Sequence, residues 1–145
     1  MIYVFDIDGT LSDTSHRLHF IEKEPKDWAG FFAAAENDEP IWEVITVARS
    51  LSVAGHTIVM MTGRSESSRA LTMKWLGKYR VPFNKLLMRT EGDHREDFVV
   101  KAELLGDPVF AGGLQSVGVF EDRQQNVDMF REKGIKVFQV AKGDF

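Results

Sequence analysis

The 145-residue sequence contains no cysteine. That excludes disulfide scaffolds, thiolate zinc sites and cysteine nucleophiles, and it accords with a reducing, cytoplasmic setting. A long hydrophobic run is missing as well. The apolar start Ile2-Tyr3-Val4-Phe5 is cut off by Asp6 and has no basic residue before it, so neither a membrane span nor an export signal is expected. Nor is there a basic excess: 18 Lys and Arg stand against 22 Asp and Glu, a net charge of −4. Nonspecific coating of nucleic acid is thereby excluded, and any contact with it must be local. No G-x-x-x-x-G-K-[ST] run occurs, since Gly77-Lys78 lacks the upstream glycine, so no ATP site is expected. What remains, 43% hydrophobic and 28% charged, is the make-up of one globular domain that can bury a core without crosslinks.

Short apolar runs rich in β-branched and aromatic residues recur at Ile2 to Phe5, Thr57 to Met61, Lys85 to Met88, Val117 to Phe120 and Lys136 to Val140. Each reads as a strand. Helical periodicity fills the intervals, with Ile41, Val44, Ile45, Ala48 and Leu51 on one face, then Leu71, Trp75, Leu76 and Tyr79, and later Val127 and Phe130 before Gly134. Alternating strands and helices predict an α/β, Rossmann-like fold with a parallel five-stranded sheet and helices on both faces. Residues 12–40 break the alternation and read as a small cap inserted into a single domain spanning 1–145.

In such a sheet chemistry gathers beyond the carboxyl ends of the strands. Those ends carry Asp6-Ile7-Asp8-Gly9-Thr10, Thr62-Gly63-Arg64 and Glu121-Asp122-Arg123, with Lys101 in the helical stretch before the fourth strand. Residues i and i+2 of an extended segment face one side, so Asp6 and Asp8 can address one ligand while Gly9 turns the chain away. One carboxylate can then attack phosphorus, forming an aspartyl phosphate, while the other moves protons. Attack by an anion on an anionic phosphate needs positive charge, which Lys101 and a Mg²⁺ on Asp6 and Asp122 would supply. Thr62 and the backbone N–H groups opening the next helix are candidates for a phosphate oxygen.

Plainer readings compete. A D-x-D-G run is also an ordinary turn, Thr62-Gly63 a helix cap, Lys101 a solvated lysine and Glu121-Asp122 a turn. Their joint occurrence at successive strand ends is what argues against them. A calcium loop fails, because the EF-hand pattern wants Gly and Glu where this chain has Leu11 and Arg17. In the insertion, Arg17, Lys23 and Lys26 alternate with Trp28, Phe31 and Phe32. Spacing at 28, 31 and 32 favours a small helical core over a stacking surface for single-stranded ends. His16 and His19 lack a further nearby His or Cys and read as surface or substrate-facing residues, His56 reads as structural, and Asp13 is an additional acid near the pair.

Taken together, the Asp6-to-Leu11 run, Thr62-Gly63-Arg64, Lys101 and Glu121-Asp122 resemble the four motifs of the haloacid dehalogenase superfamily of phosphatases. More narrowly, Met60 to Arg64, Gly92 to Lys101, Glu121 to Arg123 and Gln139 to Phe145 resemble the 3′-phosphatase domain of bacteriophage-type polynucleotide kinase/phosphatase. The resemblance implies Asp6 as nucleophile and Asp8 as general acid, then base. It implies Mg²⁺ on the Asp6 side chain, the Asp8 main-chain carbonyl and Asp122, with Glu121 in the outer shell. Thr62, Gly63, Arg64 and Lys101 would contact phosphate, supported by Arg95 and Asp97. Thr62 stands where serine is common and Glu121 where a second Asp is frequent. The implied substrates are 3′-phosphates on DNA or RNA ends or on nucleotides, the alternative being a small-molecule or 5′-nucleotide phosphatase. A receiver-like phospho-acceptor domain is the non-enzymatic alternative, but it needs an acid closing the third strand, where this chain has Arg89-Thr90.

Overall fold

A computed structural model describes residues 1–143. Asp144 and Phe145, part of the C-terminal resemblance, lie outside the described residues. Strand β1 (Ile2–Phe5) leads into a two-residue ribbon of β2 (Ser12–Asp13) and β3 (Glu39–Pro40), between which lie the short helices α1 (His19–Glu22) and α2 (Trp28–Ala33). Then follow α3 (Trp42–Val53), β4 (Thr57–Ser65), α4 (Arg69–Lys78), β5 (Lys85–Arg89), α5 (Asp97–Leu104), β6 (Val117–Arg123), α6 (Gln124–Glu132) and β7 (Lys136–Gly143).

Strands β5-β4-β1-β6-β7, in that order, form one wholly parallel sheet, as the alternation predicts. The inner strands β1 and β4 open as continuous apolar runs because both faces are covered there, whereas the edge strand β7 is mostly exposed. Phe5, Ile58, Met60, Leu86 and Met88 pack on one side against Val44, Ile45 and Ala48 of α3 and Trp75 and Leu76 of α4. Their neighbours in sequence, Val4, Val59, Met61, Leu87 and Val119, pack on the other side with Val127 and Phe130 of α6. Chain order reverses between β1 and β6, which opens a crevice beyond their carboxyl ends.

Two strands run further than their apolar residues predict. β4 continues through Thr62-Gly63-Arg64 to Ser65, and β6 through Glu121-Asp122 to Arg123. Both lose regular register within these extensions, between Thr62 and Ser65 and between Glu121 and Arg123. Polar motif residues prolong the strands because neighbouring strands still pair with them, a term absent from local hydrophobic patterning. One expectation is corrected here. Thr62 does not abut a helix N-terminus, since α4 begins only at Arg69 after a turn of 3₁₀ helix.

Candidate active site

Asp6 and Asp8 leave β1 at the crevice, and the chain turns at Gly9. Gly9 has φ +83°, and a Cβ there would lie 2.2 Å from Asp122 Oδ2. Both the left-handed backbone and the closeness of the Asp122 carboxylate therefore require glycine. Thr10, fully buried, donates its hydroxyl toward Asp6 Oδ2 (3.2 Å) and Asp122 Oδ1 (3.3 Å), tying the first and fourth motifs together.

Lys101 projects from α5 into the same point. Its Nζ donates to Asp6 Oδ1 (2.8 Å) and Glu121 Oε2 (2.7 Å) and stands 3.6 Å from Asp97 Oδ2. Burial opposes its charge, but Asp6, Asp97 and Glu121 outweigh that and hold the ammonium well above its ordinary pKa. Lys101 is thus a fixed cation rather than a proton donor. The other Glu121 oxygen, Oε1, accepts the backbone N–H groups of Asp122 and Arg123, both at 3.1 Å. Glu121 therefore orients Lys101 and the end of β6.

Asp6, Glu121 and Asp122 can bring one oxygen each within 4.8 Å of one another. Three carboxylates against the single ammonium of Lys101 leave two negative charges uncompensated. Burial, then Glu121, with Asp122 adding to it, push the Asp6 carboxyl well above its usual range despite Lys101. Burial and Glu121 push Asp122 up to about 7. The donor set is all oxygen and buried, and its charge deficit is that of a divalent cation, so it fits a hard ion such as Mg²⁺. Asp6 and Asp122 are the side chains with oxygens to offer it.

Asp8 lies in a different field. Arg64 donates Nη2 to its Oδ1 (2.6 Å) and Nε to its Oδ2 (3.1 Å), while Arg17 donates Nη2 to Oδ1 (2.6 Å). Burial would raise the Asp8 pKa, but these two guanidinium groups, Arg64 foremost, hold it well below the usual carboxylate range. Arg17, at zero exposure, also makes a two-bond pair with Asp38 through Nε and Nη2, each 2.8 Å. Arg64 adds a bond to Thr72 (3.1 Å), and the Asp38 carbonyl accepts the Trp75 indole N–H (2.9 Å). Orphaning one member of such a buried pair costs about 3–5 kcal/mol. The network therefore anchors the inserted segment firmly to the sheet.

The second motif approaches α5 closely. A Cβ at Gly63 would lie 2.2 Å from Asp97 Oδ1, so any side chain there would displace the Asp97 carboxylate. Thr62 Oγ1 accepts the Arg64 N–H at 3.2 Å. Asp97 accepts from Asn126 Nδ2 (2.8 Å), and Lys101, then Asn126, keep it ionised despite burial. Arg89 closes β5 and staples this region, donating Nε to Gly63 O (2.8 Å) and Nη1 to Asp93 O (3.1 Å) and Arg95 O (2.6 Å).

Asp6, Asp8, Gly63, Arg64, Arg95, Asp97, Glu121 and Asp122 line one cleft, and Lys101 reaches Asp6 and Glu121 from behind it, whereas Thr62 is buried outside the lining with its hydroxyl on the Arg64 N–H. Arg95 pairs with Asp93 and Glu103 on the surface. Asp13 is exposed and accepts the Ser15 N–H, His16 sits on Asp38 (2.7 Å), His19 lies against Phe20, and His56 packs edge-on against Tyr3. Sequence reasoning did not find the roles of Arg17, Asp38, Arg89 and Asn126. Arg17 carried a signal, a lone basic residue nine positions after Asp8, but only folding brings it to that carboxylate.

A parallel sheet reversing at β1 and β6, with buried Asp6 and half-buried Asp8 just beyond one and a buried acidic pair on the other, sets the class. The chain has the Rossmann-like parallel fold seen in haloacid dehalogenase-like hydrolases. Within that class its sequence matches the polynucleotide kinase PNKP phosphatase domain over residues 1–145, and the chain belongs to that family. It is similar to a chain in the structure of a Pnkp1/Rnl/Hen1 complex, with 31% identity and TM-score 0.79, covering 99% of this chain and 47% of that one. A second structure, of the Pnkp1/Rnl/Hen1 RNA repair complex, gives the same identity and TM-score over 43% of its chain. This chain thus spans less than half the length of either. The class C acid phosphatase from Bacillus anthracis shares the fold at 15% identity and TM-score 0.67, covering 99% of this chain and 67% of that one. No described helix is long and apolar enough to cross a membrane.

Proposed function

We propose that this chain removes the 3′-phosphate from polynucleotide ends by way of an aspartyl phosphate on Asp6, with residues 12–40 acting as its cap. The observation that carries the chemistry is the setting of Asp6, a buried carboxylate with Lys101 on one oxygen, Thr10 on the other and Asp122 beside it. The polynucleotide end is supported by the family match over the whole chain and by the resemblance to chains of an RNA repair complex.

In the first step an Asp6 oxygen attacks phosphorus as the P–O bond to the sugar breaks, and Asp8 gives the departing oxygen its proton. In the second, Asp8 takes a proton from water, which attacks phosphorus and releases phosphate and the Asp6 carboxylate. Mg²⁺ held by Asp6 and Asp122 would offset charge on the phosphate oxygens. Lys101 holds Asp6 in place and adds a fixed positive charge. For Asp8 to carry a proton, an entering phosphate must compete with it for the guanidinium groups of Arg64 and Arg17. The test is phosphate release measured side by side on 3′-phosphorylated oligonucleotides, 5′-phosphorylated oligonucleotides, mononucleotides and a chromogenic monoester. The expected order places the 3′-phosphorylated oligonucleotide first in kcat/KM; a preference for the 5′ end or for mononucleotides would favour the nucleotidase alternative.

The charge deficit gives a further expectation that does not depend on turnover. Asp122 titrates near 7 in the folded metal-free protein and near 3.8 when its environment is lost. The folded state therefore holds the extra proton between these values, and the associated stability, complete below about pH 4, is lost as pH rises through about 7. Mg²⁺ removes the repulsion that the proton removes. The melting temperature of the chelated protein should therefore fall between pH 5 and pH 8, and Mg²⁺ should raise it more at pH 8. Equal stabilisation at both values would contradict binding at Asp6 and Asp122.

A further inference from the structure

The part of the cleft wall supplied by α2 is aromatic, and the chemistry at Asp6 makes no use of it. Helix α2 places Trp28, Phe31 and Phe32 at i, i+3 and i+4, a stripe that a helix normally turns into a core. Only Phe31 is buried, at 4% exposure. Trp28 keeps 48% of its surface open and Phe32 36%, and both line the cleft that holds Asp6, Asp8 and Arg64. The two open rings lie within 25° of parallel with centroids 6.0 Å apart, and Phe31 meets them edge-on at 88° and 72°. Phe31 is itself fixed, because the Arg17 guanidinium stands 4.2 Å from its ring centre and donates to Asp8. Lys26 Nζ lies 5.7 Å from the Trp28 ring at the margin.

Leaving two large apolar rings in water is unfavourable, and the cap core does not require it, since Phe31 alone fills that place. Their faces are flat and line a cleft of about 1180 Å³ that also holds Asp6, Asp8 and Arg64, the proposed phosphatase site. A ligand that joins a phosphate to a flat π-system suits both ends of that cleft, and a nucleotide is such a ligand. We propose that Trp28 and Phe32 form a stacking platform for the nucleobase of a single-stranded 3′-terminal nucleotide, with Lys26 beside it for the neighbouring backbone phosphate. The proposal rests on the reading of the site as a polynucleotide 3′-phosphatase, and it adds what selects the substrate.

Base–aromatic stacking in single-strand binders changes affinity by about 5- to 150-fold per base, equivalent to about 1–3 kcal/mol. The experiment compares kcat/KM for a 3′-phosphorylated single-stranded oligonucleotide with that for the same oligonucleotide lacking its 3′-terminal base. Wild type should prefer the base-bearing strand by a factor in that range, expressed in KM. Trp28→Ala should bring the ratio close to one, and Trp28→Phe should keep most of it. A wild-type ratio near one overturns the platform without involving any variant, so a misfolded substitution cannot obscure the answer. An undiminished ratio in a folded Trp28→Ala protein, checked by its melting temperature, also overturns it. If wild type releases phosphate from a chromogenic monoester but from neither strand, the functional reading fails and takes the platform with it, an outcome distinct from failure of the platform alone.

Discussion

Replacing Asp6 by asparagine is expected to abolish phosphate release on every substrate, by roughly 10⁶-fold, the scale of losing the nucleophile of a covalent mechanism. The amide is nearly the same shape but cannot attack phosphorus or balance a cation's charge. Stability should behave in the opposite way. Burial and the nearby Glu121 and Asp122 make the ionised Asp6 carboxyl unfavourable in the metal-free fold, and the neutral amide relieves that repulsion while still facing Lys101 and Thr10. The metal-free Asp6→Asn protein should therefore melt no lower than wild type at pH 8 and should lose most of the Mg²⁺-dependent rise. Turnover near the wild-type level would remove Asp6 from the nucleophilic role. A collapse in melting temperature would instead mean that its ionised form is structural.

Asp8→Asn has the second largest expected effect, and its size should depend on the leaving group. A sugar alkoxide must receive a proton as its bond to phosphorus breaks, and general acid assistance is worth about 10²- to 10⁴-fold. A nitrophenolate leaves without it. Rapid-quench measurement of phosphoenzyme formation should show strong slowing with a 3′-phosphorylated nucleotide and little with a nitrophenyl ester. Steady-state turnover is the poorer test, because Asp8 also activates the water of the second step. The geometry adds a condition: clasped by Arg64 and Arg17, Asp8 is held as carboxylate, so its proton must arrive once a bound phosphate offsets the positive charge of both. Equal slowing of the first step with both substrates would make Asp8 a positioning residue. Asp13 is then no substitute, since it is exposed and committed to the Ser15 turn.

The parts of this site legible beforehand were those that local rules govern. Asp6 and Asp8 could be paired from the period of an extended strand, and Gly9 from the turn that follows. Their company with Lys101 and Asp122 followed from the rule that parallel sheets gather function at one edge. The roles of Arg17 and Asp38 were not legible, because they depend on how a 29-residue segment with little regular pattern folds back over the sheet. The aromatic stripe misled for a related reason. Periodicity at 28, 31 and 32 specifies one helical face, but whether that face meets protein or an open cleft is decided by what lies opposite it.

Sequence was sufficient for the alternating parallel architecture and for gathering Asp6, Asp8, Lys101, Glu121 and Asp122 at one edge of the sheet. Each of these depends on the period of the backbone and on residues near in the chain. Only the tertiary structure decided how charge is distributed among them. Asp6 and Asp122 share a buried pocket with one ammonium and are driven toward the protonated form, whereas Asp8, two residues from Asp6, lies between two guanidinium groups and is held ionised. Identical side chains two positions apart acquire opposite tendencies because a carboxyl pKa reports burial and the charges brought within a few ångströms: for Asp8 those of Arg17 and Arg64, 9 and 56 positions away, and for Asp6 those of Lys101, Glu121 and Asp122, 95, 115 and 116 positions away.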